Sequence, residues 1–433
     1  MADALLSVGL DVGTTTTQMI VSRLLVENKA TGFAVPEMEI ADREILYRGK
    51  VHFTPLFGDK KVDKEGLQAL VDQEYENAGI RREQVDTGAV IITGETSRKE
   101  NAKTALEALS QYAGEFVVAT AGPDLESILA ARGAGAVEYS ERTGKLVLHM
   151  DIGGGTSNLC LIQAGKILAT GCLNVGGRLI KRDQNGNVTY RSPVLSYTDK
   201  TDIGSLVQDM VSALEMAAGL RPEGKLLRQF MTQEITAPWE ILKERPVISF
   251  SGGVADCIQK ELPPLAFGDI GPELGQAIRK SQLCKGEYIL GTETIRATVI
   301  GAGCYSTTLS GSTVFYRNVQ FPIKNLPVVD FAPGKSAPEE TSVFFISGEE
   351  KSSYTRICEL AKILAEQTKG AIYVALQADA AKALGHRLCL LLPPERPICC
   401  IDRVKLTEGS FLDIGAPVGP ALPVVIKTLI LSH

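Results

Sequence analysis

Two short stretches carry the strongest chemical signal in this chain, Asp11-Val12-Gly13-Thr14-Thr15-Thr16-Thr17 and Asp151-Ile152-Gly153-Gly154-Gly155-Thr156-Ser157. Each supplies one carboxylate, a flexible backbone and a run of hydroxyls. Glycine lets a backbone approach a phosphate closely and aim successive N–H groups at it, while Thr and Ser add further donors. A carboxylate beside a phosphate makes sense once Mg2+ with its waters stands between them, because that ion is held by one or two carboxylates together with phosphate oxygens. Asp11 and Asp151 are therefore the expected metal-facing groups. Gly13, Thr14, Thr15, Thr16, Gly153, Gly154, Gly155 and Thr156 are the expected phosphate-facing ones. Two such turns facing each other would hold a triphosphate and its Mg2+ from both sides.

Competing nucleotide signatures fail. Gly334-Lys335-Ser336 ends like a phosphate loop, but Val329 stands where the first required glycine belongs. Gly153-Gly154-Gly155 lacks the third glycine of a dinucleotide fingerprint.

The elements that must position these turns repeat along the chain. Residues 6–23 and 146–166 each read as an apolar run, an Asp, a Gly/Thr turn and a second apolar run, the pattern of a β-hairpin, and the two Asp lie 140 residues apart. A repeated unit of this kind implies two similar halves. Between the hairpins the sequence predicts a polar insertion at 27–48, a helix at 63–78, a strand at 89–94, a helix at 101–113, a strand at 116–119 and a helix at 123–132. After the second hairpin come a strand at 169–175, Gly176-Gly177 opening 178–181, a helix at 203–218 and a buried strand at 246–250 that ends at Ser251-Gly252-Gly253. Residues 295–302 read as helix or strand. From Gly311 the prolines 322, 327, 333 and 338 punctuate a loop-like region. A helix at 354–368 follows, then strands at 371–376, 388–392 and 398–404, with 428–431 closing a sheet. Alternating strands and helices argue an α/β protein, divided into units at 1–144, 145–310 and a C-terminal α/β extension at 311–433.

Composition narrows the function classes. The 433 residues carry 45 basic and 51 acidic side chains, a net charge of −6, so a broad phosphate-gripping surface for nucleic acid is not expected. Nine Cys without regular spacing and four His never at H-x-x-x-H spacing give no disulfide framework and no zinc site. Cys399 and Cys400 read as strand residues. The start, MADALLSVGLDVG, lacks a basic leader, and no uncharged apolar run reaches the roughly 18 residues of a membrane span. The expectation is a protein of the cytosol or of a compartment filled from it, with no membrane contact.

Asp11 to Thr17, Asp151 to Thr156 and Ser249 to Ala255 (SFSGGVA) resemble, in the usual order, the first phosphate, second phosphate and adenosine motifs of the actin, Hsp70 and sugar-kinase ATPase superfamily. Connecting helices have counterparts in SILAARGAGA at 127–136 and TVIGAG at 298–303. The resemblance implies an actin-like fold of two ribonuclease-H-like domains around a nucleotide cleft that takes ATP or ADP with Mg2+. It places Gly252 and Gly253 near the adenosine and its adjacent phosphate, and Glu126 where relatives keep the group that orients attacking water. Gly176-Gly177 resembles a glycine pair that reaches phosphate in Hsp70-like proteins, and also reads as a plain turn. Glu95 in TGET is a second candidate for the water-orienting role, and Arg98 and Lys99 read either as phosphate contacts or as a solvated helix start. Over its whole length, including TGETSRKENA at 93–102 and TAGPDLES at 120–127, the sequence is similar to the ethanolamine ammonia-lyase reactivating factors.

That family implies an ATP-dependent chaperone, an ATPase, that opens an adenosylcobalamin enzyme so that intact cofactor replaces a damaged form. Its members belong to ethanolamine-utilisation systems, often within bacterial microcompartments. No D-x-H-x-x-G cobalamin motif is present, so direct cobalamin binding is not expected. The competing reading is a small-molecule kinase on the same fold, whose base would be an Asp; Asp202, Asp269 and Asp413 stand in D-I-G contexts. A filament-forming actin relative is a third. Whether turnover or occupancy drives exchange, and whether the chain self-associates, stays open at the level of sequence.

Overall fold

The computed structural model describes residues 3–13, 16–29, 38–57, 61–93, 117–120, 123–196, 202–233, 245–291, 293–305, 307–310, 313–331, 341–348, 353–404, 406 and 410–428. β1 (Asp3–Val12) and β2 (Thr16–Asn28) form the first hairpin, antiparallel from Asp3 opposite Val26 to Val12 opposite Thr17. β2 pairs outward with β3 (Met38–Arg48) and with β4 (His52–Phe53). The stretch expected as a polar insertion is therefore an edge strand over its second half. Along β3 only Ile40 is buried, and a strand with so little covered surface carries the composition of a solvated segment.

β5 (Leu56–Phe57) and β6 (Lys61–Val62) make a minimal ladder before α1 (Lys64–Ala78). Asp63 caps that helix by accepting from Gly66 N–H, and Gly79, at φ +67°, ends it in the left-handed region that glycine adopts without strain. β7 (Thr87–Ile92) joins β1 in parallel and β8 (Val117–Thr120) joins β7, giving the order β3-β2-β1-β7-β8. The helix expected at 101–113 lies outside the described residues.

α2 (Pro123–Gly133) and α3 (Ala136–Thr143) lead to the second hairpin, β9 (Leu146–Ile152) and β10 (Ser157–Gln163), flanked by β11 (Lys166–Leu173). A short ladder of β12 (Ile180–Arg182) and β13 (Val188–Arg191), α4 (Ile203–Ala217), α5 (Lys225–Phe230) and β14 (Met231–Gln233) follow. β15 (Val247–Ser251) then joins β9 in parallel, and α6 (Gly253–Gln259), α7 (Gly271–Lys280), β16 (Tyr288–Leu290) and α8 (Ala297–Tyr305) complete the unit. The sheet order is β14-β11-β10-β9-β15-β16. In both sheets two successive antiparallel ladders on one side of the first strand are matched by two parallel ladders on the other, and β14 extends the antiparallel side of the second sheet. This duplicated topology is the actin-like α/β fold expected from the sequence.

Residues 295–302, open to either reading, contribute to helix α8. α2 packs on β9, β10 and β11, whereas α8 packs on β1, β2 and β7, so each connecting helix lies on the sheet of the other half. The two helices meet through glycines: a Cβ on Gly133 would stand 1.8 Å from Ala297 O, and one on Gly301 2.1 Å from Leu129 O. The largest apolar cluster lies between the second sheet and α4, α6 and α7, and a smaller one joins β1, β2 and β7 to α1.

A third sheet closes the chain, ordered β17-β24-β23-β19-β20-β21-β22-β18. Its strands are β17 (Thr307–Leu309), β18 (Phe315–Arg317), β19 (Ile323–Asp330), β20 (Val343–Ile346), β21 (Ile372–Leu376), β22 (Ile398–Ile401), β23 (Ser410–Ile414) and β24 (Pro423–Thr428), with α9 (Tyr354–Gln367) and α10 (Ala381–Leu391) between them. β19 runs through the region expected to be loop-like. Pro327 is tolerated because the ladder with β20 begins one residue later, at Val328. The strand expected at 388–392 is instead the end of α10, whose buried Ala381, Leu384, Gly385 and Leu388 follow helical spacing. Cys399 and Cys400 lie in β22 as expected. Residues 429–431 lie outside the described residues. Among the described residues no helix is long and apolar enough to cross a membrane.

Candidate functional site

Both predicted turns close their hairpins, between β1 and β2 and between β9 and β10, and are built alike. Gly13 N–H donates to Thr16 O at 2.9 Å, and Gly153 N–H donates to Thr156 O at 2.9 Å. The first turn is braced from below: Thr54 Oγ1 donates to Gly13 O at 2.8 Å and lies 3.1 Å from Thr17 Oγ1, and Thr93 N–H donates to Val12 O. Thr14 and Thr15 lie outside the described residues. The second turn is braced by the glycine pair, since Gly177 N–H donates to Gly153 O and a Cβ on Gly176 would stand 2.4 Å from Gly154 O. Gly176-Gly177 thus packs its backbone against the second turn. Gly155 is exposed, with open space where a Cβ would stand.

The two carboxylates influence each other. Burial pushes the Asp11 carboxyl up to about 7; a hydrogen bond from Thr93 Oγ1 to Oδ1 at 3.0 Å opposes this and the charge of Asp151 adds to it. Burial likewise pushes Asp151 up to about 6, against the opposing hydrogen bond donated by Ser251 Oγ to Oδ1. Among the described residues no cationic side chain is bonded to either acid. His149, two residues earlier on β9, is driven down to about 3 by burial and is neutral.

A pair of orphaned atoms tests whether a hydrated cation suits this place. Gln18 lies directly across the first hairpin from Asp11, and Asn158 directly across the second from Asp151. Both amides are buried, and Gln18 Oε1 and Asn158 Oδ1 have no hydrogen-bond partner among the described residues. Two acids and two acceptor oxygens without donors match an ion that carries water, because metal-bound water donates to both kinds of group. Among the described residues no cluster of three or more His, Cys, Asp or Glu side chains could hold an ion on protein ligands alone. The donor set thus fits Mg2+ that draws its remaining ligands from phosphate and water. Sequence reasoning missed both amides; the signal was their shared place, seven residues after each Asp.

Arg178 was also missed. Its stem lies across the second turn, with Cδ 3.3 Å from where a Cβ of Gly154 would stand, and its Nε donates to Asp269 Oδ2 at 3.2 Å. A guanidinium whose stem crosses a glycine turn is close enough to counter charge bound there. On the far side of β9, Gly252 adopts φ +84° and a Cβ there would stand 2.3 Å from Ile152 O, so this close approach of β15 to the second turn requires glycine. Gly253, which opens α6, has open space beside it.

Glu126 stands half-buried in the first turn of α2. That turn is pinned to β11, where Thr170 Oγ1 donates to Asp124 Oδ1. Glu95, Arg98 and Lys99 lie outside the described residues. Two of the three acids weighed as a kinase base have structural tasks. Asp202 caps α4, accepting from Ser205 N–H at 2.8 Å, and Asp269 accepts from Gly271 N–H at 2.8 Å while pairing with Arg178. Asp413 is buried within β23.

Comparison with known proteins agrees with the family resemblance. A family model described as ethanolamine utilisation protein EutA matches residues 3–344 and 335–432. The ethanolamine ammonia-lyase reactivase EutA of Salmonella typhimurium is 39% identical over 98% of both chains, and that of Escherichia coli is likewise 39% identical over 98% of both. Among solved structures, an Aquifex aeolicus PPX-GPPA enzyme aligns with 69% of this chain and 99% of its own, at 12% identity and a TM-score of 0.44. With a matching family model and 39% identical relatives, both over nearly its whole length, the chain belongs to the ethanolamine utilisation protein EutA family.

Proposed function

We propose that this protein is an ATP-dependent reactivating chaperone of adenosylcobalamin-dependent ethanolamine ammonia-lyase. It releases damaged cobalamin so that intact adenosylcobalamin can bind. The observation that carries the reading is the pairing of Asp11 and Asp151 on equivalent turns, each opposite an orphaned amide oxygen, in a chain of the EutA family. The names of the 39% identical relatives support the lyase as partner.

In this reading Asp11 and Asp151 hold Mg2+ through its waters, with Gln18 and Asn158 as further acceptors. The ion would neutralise phosphate charge as it develops. Gly13 to Thr16 and Gly153 to Thr156 present N–H and hydroxyl donors to the phosphates, Gly252 and Gly253 admit the adenosine, and Arg178 counters the remaining negative charge. Glu126 orients the water that attacks the terminal phosphate. The protein's work in such chemistry is positioning and charge stabilisation.

Nucleotide binding between two halves shifts their closure and with it affinity for the lyase. A coupling of about 1–3 kcal/mol changes that affinity about 5- to 150-fold, enough for a cyclic release factor. Hydrolysis resets the cycle. The place of action is the bacterial cytoplasm or an ethanolamine microcompartment.

The test is to add the purified protein, Mg-ATP and adenosylcobalamin to lyase blocked by an inactive cobalamin. Recovery is expected with the wild type and is lost with Asp11→Ala or Asp151→Ala. No recovery at any ratio of factor to lyase rules the chaperone out. Phosphorylation of a polyol or carboxylate without a protein partner would favour the kinase.

A further inference from the structure

The central strands of the second sheet hold a polar chain that the proposed function leaves unused. β9 and β15 run in parallel register, with His149 beside Ser249 and Asp151 beside Ser251. The alternating neighbours Leu148, Met150, Ile248 and Phe250 are all buried and apolar. His149, Ser249 and Ser251 have no exposed surface. His149 Nδ1 lies 2.9 Å from Ser249 Oγ, His149 Nε2 lies 3.0 Å from Ser251 Oγ, and Ser251 Oγ donates to Asp151 Oδ1.

Counting hydrogens gives every bond a direction. A carboxylate only accepts, so Ser251 spends its single hydroxyl hydrogen on Asp151. Ser251 can then only accept from His149, which puts the imidazole hydrogen on Nε2. Nδ1 is left as an acceptor and takes the hydroxyl hydrogen of Ser249. The relay runs one way, from Ser249 through His149 and Ser251 to Asp151, and each bond polarises the next. It engages Oδ1 and leaves Oδ2 of Asp151 without a partner among the described residues. Apolar side chains would fill the same interior with no polar groups to satisfy, so the relay makes physical sense through the carboxylate at its end.

We propose that His149 is a positioning residue for Asp151, fixing the carboxylate through Ser251 so that Oδ2 is presented to the Mg2+-nucleotide. The inference rests on the nucleotide reading above. Partners at this remove from a metal typically contribute about 10–100-fold to its affinity.

Two measurements test it. The first is the 15N spectrum of histidine-labelled, metal-free protein at neutral pH, where one of the four His should be a neutral Nε2–H tautomer, identified by its loss in His149→Gln. An Nδ1–H tautomer or an imidazolium there overturns the relay. The second is binding of a fluorescent ADP analogue against Mg2+ concentration. His149→Leu and Ser251→Ala are expected to raise the Mg2+ needed for half-saturation at least tenfold, while binding in EDTA stays within about twofold. Ser251→Thr, which keeps the hydroxyl, restores the wild-type curve, and Ser251→Ala carries the test if His149→Leu does not fold. Curves that overlay the wild type overturn the role of His149 alone. A wild type that takes up no nucleotide at any Mg2+ concentration overturns the clamp and this role with it.

Discussion

Asp11 and Asp151 hold matching positions, next to last in β1 and β9, near enough that the charge on Asp151 raises the carboxyl of Asp11. A half-buried and a buried acid held together without a bonded cationic side chain among the described residues are a standing electrostatic cost in the metal-free protein. The carboxyl of Asp11 titrates near 7, against an ordinary value of 3.8. Between those values the folded state holds a proton that the unfolded chain releases, so stability is greatest in acid and falls as pH rises through 7. Metal-free protein should therefore melt at lower temperature at pH 8 than at pH 5. Asp11→Asn should flatten that fall and raise Tm at pH 8 by about 2–4 °C. Thermal melts in EDTA across this range decide it, and a Tm that climbs toward pH 8 contradicts the assignment.

Glu126 enters the site through family resemblance and its place in the first turn of α2. Glu126→Gln keeps shape and hydrogen bonding but removes the charge that would draw a proton from water. Mg-ATP affinity should stay within about twofold, while single-turnover hydrolysis slows about 100-fold or more. Unchanged hydrolysis would reassign the role, with Glu95 next in line.

Arg178 lies over the second turn and is tethered by Asp269. A charge that counters phosphate should matter more for a triphosphate than for a diphosphate. Arg178→Ala is expected to weaken ATP about tenfold more than ADP, consistent with loss of a hydrogen bond to a charged group. Equal losses for both nucleotides, measured by calorimetry, would make Arg178 a packing residue.

The contact between α2 and α8 has no room for a side chain. A Cβ on Gly133 or Gly301 would overlap a carbonyl of the opposite helix, and overpacking of this kind costs about 1–3 kcal/mol. Gly133→Ala and Gly301→Ala should each lower Tm and spread the halves, weakening nucleotide binding without touching the turns. Melting temperatures at or above the wild type would show that the helices separate freely.

Much of this architecture was legible in the residues. The two hairpins announced themselves because each couples an apolar alternation to an Asp and a glycine turn, and the duplicated topology followed from their repetition. β3 was hidden because an exposed edge strand has the polar composition of a loop, and the end of α10 because LCLLL is too short an apolar run to distinguish helix from strand. Within the site, types and spacing exposed Asp11 and Asp151 but not their supports. Gln18, Asn158, Ser251 and Arg178 acquire meaning only through register and packing, which bring residues 100 positions apart, such as Asp151 and Ser251, side by side. The exchange of α2 and α8 between sheets likewise has no local signature.

That exchange reaches beyond the cleft. α8 ends at Tyr305 and β17, an edge of the third sheet, starts at Thr307. Val425 of β24 is wedged among Ala89, Ile91, Leu129 and Ala302, drawn from both halves. The C-terminal sheet is thus geared to the same axle that joins the lobes. Any twist at their junction would therefore be carried into the C-terminal sheet through Val425 and the short step from Tyr305 to Thr307.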